Sequence, residues 1–359
     1  MSDAAVVKPV LIMAGGTGGH IFPGLAVADE LKRRKTPVIW IGGVGGLEQH
    51  LVPQYGWRLE TLPIAGVRGK GFAAKLFAPL KLVRAIAAAW SLLKRHAPRS
   101  VLSMGGYAAA PGGIAAWLAR VPLVVHEQNR IPGMTNRMLA RFANRVLTGF
   151  ADVFPQGEWV GNPVRATIAA LPTPAARYAG REGPLRLLVL GGSQGAQSLN
   201  AALPEVLRRR GARLPVAVRH QCGAKHFEQA RAAYMRANIE ADVVPFEDDM
   251  AAAYAWADLV ICRSGALTLA ELAAAGMPAI LVPFPHAVDD HQTRNAEAMV
   301  AAGGARLVVE GDDFVKRLGA AFEEIGDRAK LLKMGEAART LAKPFAGKEI
   351  ADVCLEVAA

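Results

Sequence analysis

The fold is decided by a short stretch of sequence that occurs twice. Residues 9–20 read PVLIMAGGTGGH, and residues 184–196 read PLRLLVLGGSQGA. Each is an apolar run that ends in a glycine-rich turn, and a helical pattern follows, from about residue 22 to 35 and up to about residue 207. Such a run, turn and helix are typical of a parallel β-sheet that is covered by helices on both faces. The repeated unit therefore predicts two domains of the same kind.

Further short apolar runs alternate with alanine-rich helical stretches. They predict strands at residues 38–41, 100–103, 123–125 and 145–148, and again at 216–219, 242–245, 259–262, 279–282 and 305–308. A proline- and glycine-rich passage over residues 161–184 separates the two sets and indicates the crossing between domains. We therefore predict an α/β protein of two facing Rossmann-like domains, with ligands in the cleft between them at the carboxyl ends of the strands.

The composition of the 359 residues excludes several classes of protein. A hydrophobic fraction of 52% with 20% charged residues is too apolar for a disordered chain. The three cysteines, Cys222, Cys262 and Cys354, form no C-x-x-C pair, which argues against a disulfide framework or a cysteine zinc site and favours a reducing compartment. We find no transmembrane run or signal peptide, and we expect a protein that is neither secreted nor membrane-spanning.

The glycine turns do not match the common nucleotide-binding motifs. Counted from Gly16 and Gly18, the third glycine of G-x-G-x-x-G would fall on Ile21, and no acidic residue closes the strand at 38–41. Neither turn contains the G-K-[ST] of a P-loop, so both NAD binding and P-loop chemistry are disfavoured. Two interpretations remain: the glycines only make tight turns, or they let an anionic ligand approach the N–H groups that open the next helix.

Two candidate functional residues lie beside such turns. His20 follows the first turn directly, and histidine is well suited to take a proton from a hydroxyl near neutral pH, although most histidines only fill a surface or a core. Residues 262–278, CRSGALTLAELAAAGMP, predict a strand that passes into a helix with Ser264 as N-cap. Glu271 in that helix is either a solvated surface residue or a carboxylate that accepts two sugar hydroxyls.

The charge of the chain is unevenly distributed. The formal net charge is +11, and no acidic residue occurs between Glu60 and Glu127. That interval holds nine basic residues: Arg68, Lys70, Lys75, Lys81, Arg84, Lys94, Arg95, Arg99 and Arg120. A field of one sign attracts polyanions, so nucleic acid, an anionic membrane surface and a phosphorylated substrate are all candidate partners.

Six motifs together give the chain a specific resemblance. It resembles the MurG family, the undecaprenyl-diphospho-muramoylpentapeptide N-acetylglucosaminyltransferases of bacterial cell-wall synthesis. The motifs stand in family order, and they are GGTGGH at 15–20, MGGY at 104–107, HEQN at 126–129, GNPVR at 161–165, GGSQGA at 191–196 and RSGALT at 263–268.

The resemblance implies a GT-B glycosyltransferase fold. Residues 1–163, with a last helix at about 338–359, would take the lipid acceptor and associate with the membrane, and residues 164–337 would bind UDP-N-acetylglucosamine. Glu271 would bind the ribose hydroxyls and Gln292 the transferred sugar, and His20 is our candidate general base. The implied donor contacts are Thr17, Gly18, Gly19, Asn129, Arg165, Ser193, Phe246, Ala266, Leu267, Thr268, Glu271 and Gln292.

The implied reaction is an inverting sugar transfer. The C4 hydroxyl of the muramoyl sugar of lipid I attacks C1 of the donor sugar, a β-1,4 bond forms, UDP leaves and lipid II results. We expect no cofactor and no metal, because the helix N-termini behind Ser193 and Ser264, with Arg165 nearby, can meet the charge of the leaving diphosphate. The expected location is the cytoplasmic face of the bacterial inner membrane, where other cell-wall synthesis proteins are possible partners.

An apolar stripe with flanking cations predicts the membrane face. Either this stripe is the buried face of a core helix, or it rests on anionic lipid. A glycine-rich loop at 66–71 would lie beside it, over the acceptor diphosphate. The predicted membrane face consists of Leu76, Leu80, Val83 and Ile86 at helical spacing, Lys75, Lys81 and Arg84 beside them, and Trp117.

Two alternative functions share some of these features. A nucleic-acid binding protein would explain the basic excess, but the chain has no recognisable nucleic-acid motif or run of stacking aromatic residues. Another GT-B enzyme, such as a UDP-N-acetylglucosamine 2-epimerase or a glycolipid glycosyltransferase, would share the whole architecture, so the fold does not distinguish it.

Overall fold

The computed structural model describes residues 7–64, 78–192, 195–211, 215–325 and 327–358. The chain divides into two compact units. The first unit comprises Met1–Pro163 and Phe345–Ala359, and the second unit comprises Val164–Pro344. Each unit contains one sheet whose strands all pair in parallel, which confirms the predicted fold class.

The first unit alternates strands and helices along the chain. Its strands are β1 (Val10–Ala14), β2 (Val38–Gly43), β3 (Leu59–Leu62), β4 (Ser100–Gly105), β5 (Leu123–Glu127), β6 (Arg145–Thr148) and β7 (Glu158–Trp159). Its helices are α1 (Gly18–Arg33), α2 (Glu48–Gln54), α3 (Ala78–His96), α4 (Ala109–Leu118) and α5 (Met134–Leu139). The strand order is β3-β2-β1-β4-β5-β6-β7.

The second unit repeats the pattern with six strands. They are β8 (Leu185–Leu190), β9 (Val216–Gln221), β10 (Asp242–Val244), β11 (Leu259–Cys262), β12 (Ala279–Leu281) and β13 (Ala305–Leu307), in the order β10-β9-β8-β11-β12-β13. The helices are α6 (Ala166–Ala169), α7 (Pro174–Tyr178), α8 (Gln197–Arg210), α9 (Phe227–Ala237), α10 (Met250–Trp256), α11 (Ala266–Ala275), α12 (His291–Ala301), α13 (Phe314–Ile325) and α14 (Arg328–Arg339). The last helix, α15 (Ala346–Glu356), returns to the first unit.

The residues of β1 alternate between two cores of the first unit. Val10 and Ile12 pack with α1 and α15 on one face of the sheet, whereas Leu11 and Met13 pack with α3 and α4 on the other. A strand buried on both faces needs a continuous apolar run, and this is the pattern that β1 has in the sequence. Hydrogen bonds from the Ser100 hydroxyl and the Arg99 side chain to carbonyl groups of α15 fix that helix against the sheet.

Each glycine turn follows the strand at which the order of strands along the sheet reverses. β1 lies between β2 and β4, and β8 lies between β9 and β11. At such a switch point the connections on either side run to opposite faces of the sheet, which leaves a crevice at the carboxyl end of the strand. The topology therefore leaves each unit with such a crevice at its glycine turn.

The structure confirms the strands predicted from the apolar runs and differs from the prediction in three elements. β3 and β7 were not predicted, because β3 carries polar residues and is only partly buried, and β7 is an exposed pair of residues at the sheet edge. The predicted single last helix is wrong in its start. Residues 338 and 339 end α14, and α15 begins only at Ala346, after Pro344, because proline lacks the N–H that a continuous helix requires.

Candidate functional site

The first glycine turn orients His20. Thr17 is the N-cap residue of α1 without making a side-chain cap bond, and Gly18 and Gly19 open the helix. His20 lies in this first turn with Nδ1 at 3.1 Å from the carbonyl oxygen of Gly15 and 3.3 Å from the Thr17 hydroxyl. A carbonyl only accepts hydrogen bonds, so this contact favours the tautomer that has its proton on Nδ1 and its lone pair on Nε2.

A buried carboxylate holds this turn in place. Glu48 is fully buried, and it accepts the N–H groups of Gly16 at 2.9 Å and Gly43 at 2.9 Å and the Tyr107 hydroxyl at 3.2 Å. Burial, together with the nearby negative charge of Glu48, raises the pKa of Tyr107 to about 12, so the hydroxyl keeps its proton. Gly16 has a φ of +88°, which only glycine adopts at little cost.

The loop after β4 packs directly on the first glycine turn. Gly106 has a φ of +89°, and a Cβ atom there would collide with the carbonyl of Gly15. A Cβ atom on Gly105 would lie 3.2 Å from both Nε2 of His20 and Nδ2 of Asn136. The glycines of the MGGY motif are therefore required by close approach to His20 and its turn.

A second buried carboxylate organises the segment after β5. Glu127 accepts hydrogen bonds from the N–H groups of Asn129 at 2.9 Å and Gly133 at 3.1 Å, and from Nδ2 of Asn136 at 3.0 Å. The neighbouring His126 is fully buried with Nε2 at 2.9 Å from the Gly161 carbonyl, and burial lowers its pKa to about 4. His126 is thus a neutral structural residue, and Asn129 is the partly exposed member of the HEQN motif.

The glycine turn of the second unit is held by one amide side chain. Gln221, at the end of β9, accepts the N–H of Gly192 at 3.0 Å and donates to its carbonyl at 2.9 Å. Gly195 has a φ of +77° and fits tightly against the Cys222 carbonyl. Ser193, the predicted donor contact in this turn, lies outside the described residues.

The helix α11 begins without a side-chain cap. Its N-cap residue is Gly265, so the prediction that Ser264 caps this helix is wrong: Ser264 is fully buried, and its hydroxyl makes no hydrogen bond to the described part of the chain. The first intrahelical bond is made by the N–H of Leu269 to Gly265. The N–H groups of Ala266, Leu267 and Thr268 therefore precede the helical ladder and can bind an anion.

Glu271 lies one turn further along α11 and is not a solvated surface residue. Its side chain is 18% exposed, Oε1 accepts from Nη2 of Arg165 at 3.0 Å, and Oε2 accepts from the Tyr254 hydroxyl at 3.2 Å. Burial raises the pKa of Glu271, and the bonds from Arg165 and Tyr254 oppose that rise. Arg165 and Tyr254 thus hold the Glu271 carboxylate near the N-terminus of α11, and each of its oxygens can accept a further hydrogen bond.

The remaining predicted donor contacts of the second unit have different environments. Phe246, beyond β10, is 58% exposed. Gln292 lies in the first turn of α12, and its Oε1 accepts the N–H of Phe284 at 2.9 Å. Its amide nitrogen, Nε2, is the hydrogen-bond donor of the side chain. Arg263 lies over the Phe284 ring at 5.5 Å and pairs with Glu310.

The predicted membrane face is only partly described. Leu80 and Val83 on α3 are 58% and 62% exposed, and Lys81 and Arg84 beside them are exposed as well. Trp117 at the end of α4 is exposed and contacts Phe142, and α4 packs against α3. Ile86 is half-buried and packs against the core instead. Lys75, Leu76 and the predicted loop at 66–71 lie outside the described residues.

Sequence reasoning assigned no role to several residues that build these sites. Glu48, Gln221 and Tyr254 hold the two glycine turns and Glu271, yet none of them stands in a recognised motif. For Glu48 a signal existed: it is the first acidic residue after β2, five positions beyond Gly43. In the described residues, no group of three or more histidine, cysteine or acidic side chains is arranged to hold a metal ion, and no helix is long and apolar enough to cross a bilayer.

The chain matches two family models in tandem. Residues 10–148 match the glycosyltransferase family 28 N-terminal domain, and residues 186–350 match the glycosyltransferase family 28 C-terminal domain. A UDP-GlcNAc 2-epimerase from Neisseria meningitidis, whose crystal structure holds UDP-GlcNAc, aligns with a TM-score of 0.66 at 12% identity and covers 97% of this chain and 100% of its own. That likeness shows a shared fold alone.

Two more similar proteins narrow the assignment. The "UDP-N-acetylglucosamine--N-acetylmuramyl-(pentapeptide) pyrophosphoryl-undecaprenol N-acetylglucosamine transferase" of Xanthomonas campestris pv. campestris strain 8004 is 57% identical over 356 residues, which are 99% of this chain and 83% of the relative. The crystal structure of Acinetobacter baumannii MurG aligns with a TM-score of 0.88 at 38% identity, and covers 97% of this chain and 99% of that chain. The chain is therefore a member of the MurG family of glycosyltransferases, with the GT-B fold.

Proposed function

We propose that this enzyme transfers N-acetylglucosamine from UDP-N-acetylglucosamine to the C4 hydroxyl of the muramoyl sugar of lipid I, which gives lipid II. The observation that carries the proposal is the 57% identity, over almost the whole chain, to a relative named for this transfer. Fold alone would equally fit the 2-epimerase, so the likeness of the whole sequence decides between these two functions.

The contact between Nδ1 of His20 and the Gly15 carbonyl favours the tautomer that a general base needs in this reaction. With the Nδ1 proton donated to the Gly15 carbonyl, Nε2 presents a lone pair that can accept the proton of the attacking hydroxyl. Nε2 borders Gly105, where the missing side chain leaves room beside the imidazole. Removal of this proton makes the C4 oxygen a stronger nucleophile toward C1 of the donor sugar.

The leaving UDP carries growing negative charge on its diphosphate. The uncapped N–H groups of Ala266, Leu267 and Thr268, at the positive end of the α11 dipole, can bind that charge. Arg177 donates to the carbonyls of Ala275 and Gly276 at the opposite end of α11, which fixes the helix. The proposed site for the diphosphate needs no metal ion.

The direct test combines the purified enzyme with UDP-N-acetylglucosamine and a lipid I analogue in the presence of EDTA. We expect a product in which N-acetylglucosamine is β-1,4-linked to the muramoyl sugar, with undiminished activity in the chelator. Formation of UDP-N-acetylmannosamine without transfer would identify an epimerase instead. Activity that EDTA abolishes and magnesium restores would disprove metal independence while leaving the transfer itself intact.

We assign Glu271 to the two ribose hydroxyls of UDP. Because hydrogen bonds to a charged group contribute about 1.5–3 kcal/mol, Glu271→Ala is expected to raise the Kd of UDP by about 10- to 100-fold, measured by titration calorimetry. Burial raises the pKa of Glu271, so as the pH is lowered this side chain takes up a proton at a higher pH than an ordinary carboxyl group does. The affinity of the wild type for UDP should therefore begin to fall at that higher pH.

A ligand control and a protein control make the Glu271 test specific. The wild type should bind 2′,3′-dideoxy-UDP as weakly as the variant binds UDP, and the variant should not distinguish the two ligands. Glu240→Ala removes the same charge from an exposed position of the second unit and should leave the Kd unchanged. A variant that still prefers UDP over the dideoxy compound by the wild-type factor would contradict the assignment.

We also propose that the enzyme binds peripherally to the cytoplasmic face of the inner membrane through α3. Leu80 and Val83 expose large apolar side chains, and each is followed along α3 by an exposed cation, Lys81 and Arg84 respectively. Apolar side chains flanked by cations fit an anionic lipid surface, where each basic residue contributes about 1 kcal/mol. A position on the membrane surface would bring the enzyme to its lipid-linked acceptor.

A further inference from the structure

Glu48 is a buried carboxylate whose charge is held without a cation. It is the first residue of α2, it is fully buried, and it forms no ion pair with any residue in the described ranges. Its partners are donors from three different segments: the N–H groups of Gly16 and Gly43 and the hydroxyl of Tyr107. Burial of an ionised group is costly unless hydrogen bonds such as these stabilise it, so we expect a glutamate at this buried position to serve a function.

The bond to Gly16 connects Glu48 to His20 through a single peptide group. The N–H of Gly16 and the carbonyl of Gly15 belong to the same planar amide. Oε2 of Glu48 accepts that N–H at 2.9 Å, and the carbonyl oxygen accepts from Nδ1 of His20 at 3.1 Å. A continuous hydrogen-bond chain therefore runs from the buried carboxylate through the Gly15–Gly16 peptide to the imidazole.

We propose that Glu48 is a positioning residue that fixes the tautomer of His20 and makes its Nε2 more basic, acting through the Gly15–Gly16 peptide. A carboxylate that accepts the N–H draws electron density toward the carbonyl oxygen, which strengthens the next hydrogen bond in the chain by roughly 10–30%. The stronger acceptor stabilises the imidazolium that forms when Nε2 takes a proton. The catalytic consequence rests on the proposed role of His20 as general base.

The glycines around Glu48 are consistent with a site built for this carboxylate. A Cβ atom on Gly15, Gly42 or Gly46 would collide with the Glu48 side chain. The three glycines thus leave the space that lets the carboxylate reach the backbone of the turn. A side chain at Gly15 would displace Glu48 from the very peptide that bonds to His20.

Within the part of the chain that the structure describes, two other titratable groups, Tyr107 and Glu127, face this site, and neither contacts the Gly15–Gly16 peptide as Glu48 does. The Tyr107 hydroxyl donates to Oε1 of Glu48 and stays neutral. Glu127 reaches the region through Asn136, whose Nδ2 donates to Oε2 of Glu127 and borders Gly105 as His20 does. The Thr17 hydroxyl also approaches Nδ1 of His20, at 3.3 Å, but carries no charge.

The first test measures His20 itself by NMR of histidine-labelled enzyme, with the resonance assigned from a His20→Gln variant. In the wild type we expect the tautomer protonated at Nδ1, and in Glu48→Gln a pKa of His20 that is lower by about one unit, because the stabilising charge is gone. Finding the Nε2-protonated tautomer in the wild type would overturn the proposal even if no Glu48 variant folds. An unchanged pKa in a folded Glu48→Gln protein would overturn it as well.

Tyr107→Phe is the matched control. It removes a hydrogen-bond donor from the same carboxylate but leaves the charge and the bond to Gly16 in place, so the pKa of His20 should stay constant or rise. A fall equal to that in Glu48→Gln would mean that any disturbance of the pocket has this effect, and would overturn the proposal.

The pH profile of kcat then connects the effect to catalysis. The neutral imidazole is the active base, so a lower pKa moves the ascending limb of the profile to lower pH by the same amount, while a weaker base lowers the plateau by up to about 10-fold. A purely structural role of Glu48 would lower the plateau without moving the limb. If NMR detects the shift and the profile does not move, the link between Glu48 and His20 stands and the assignment of His20 as base fails.

Discussion

Replacing His20 by alanine is expected to reduce kcat by about 10²- to 10⁴-fold, the usual contribution of a positioned general base. The KM for UDP-N-acetylglucosamine should change little, because the substitution removes the group that accepts the proton of the acceptor hydroxyl and does not affect donor binding. The measurement is steady-state kinetics with a lipid I analogue over a range of pH. In the variant, the ascending limb that reports the base should be absent.

His50→Gln provides the control for this experiment. His50 is an exposed histidine on α2, in the same unit as His20, so its replacement tests for a general effect of removing an imidazole. It should retain the wild-type kcat and pH profile. If His20→Ala kept kcat within about threefold of wild type with the same pH dependence, another group would have to be the base.

Leu80→Glu combined with Val83→Glu is expected to abolish most binding to anionic vesicles. Each new negative charge costs about 1 kcal/mol near the membrane surface, and together they weaken binding about 30-fold before the lost apolar contact is counted. Both side chains are more than half exposed, so the fold should tolerate the changes with little loss of stability. Cosedimentation with vesicles that contain anionic lipid measures the effect.

Met235→Glu is the matched control for the membrane experiment. Met235 on α9 is 70% exposed and belongs to the second unit, so the change adds one negative charge, half the number in the double variant, at a similar exposure away from α3. It should bind vesicles as the wild type does. Equal binding by the wild type and the α3 double variant would mean that the membrane contact lies elsewhere on the chain. If Met235→Glu weakened vesicle binding as much as the double variant does, the effect would be due to the net charge of the protein and not to α3.

The sequence was sufficient for the fold and for the family, since both depend on local patterns. A strand that is buried on both faces must be largely apolar, and a turn that packs closely against another backbone segment requires glycine. β1 is apolar throughout and β8 is apolar except for Arg186, so both strands and their glycine turns are recognisable as short sequence patterns. The six motifs, read in order, indicated the MurG family, which the relatives confirm. The edge strands β3 and β7 were not predicted, because neither has a continuous apolar run.

What only the tertiary structure decided is how distant residues meet around the predicted site. Glu48 lies 32 positions from Gly16 and 59 from Tyr107, and Arg165 lies 106 positions from Glu271. Parallel strands require long crossovers, so the carboxyl ends that form one site come from segments far apart in sequence, and no local pattern encodes their partners. The amino-acid sequence alone therefore determined where the two glycine turns follow β1 and β8, and that His20 stands beside the first of them. The folded chain decided which backbone carbonyl lies beside Nδ1 of His20 and which buried carboxylate lies behind it, because hydrogen-bond geometry exists only once the sheet has brought those segments together.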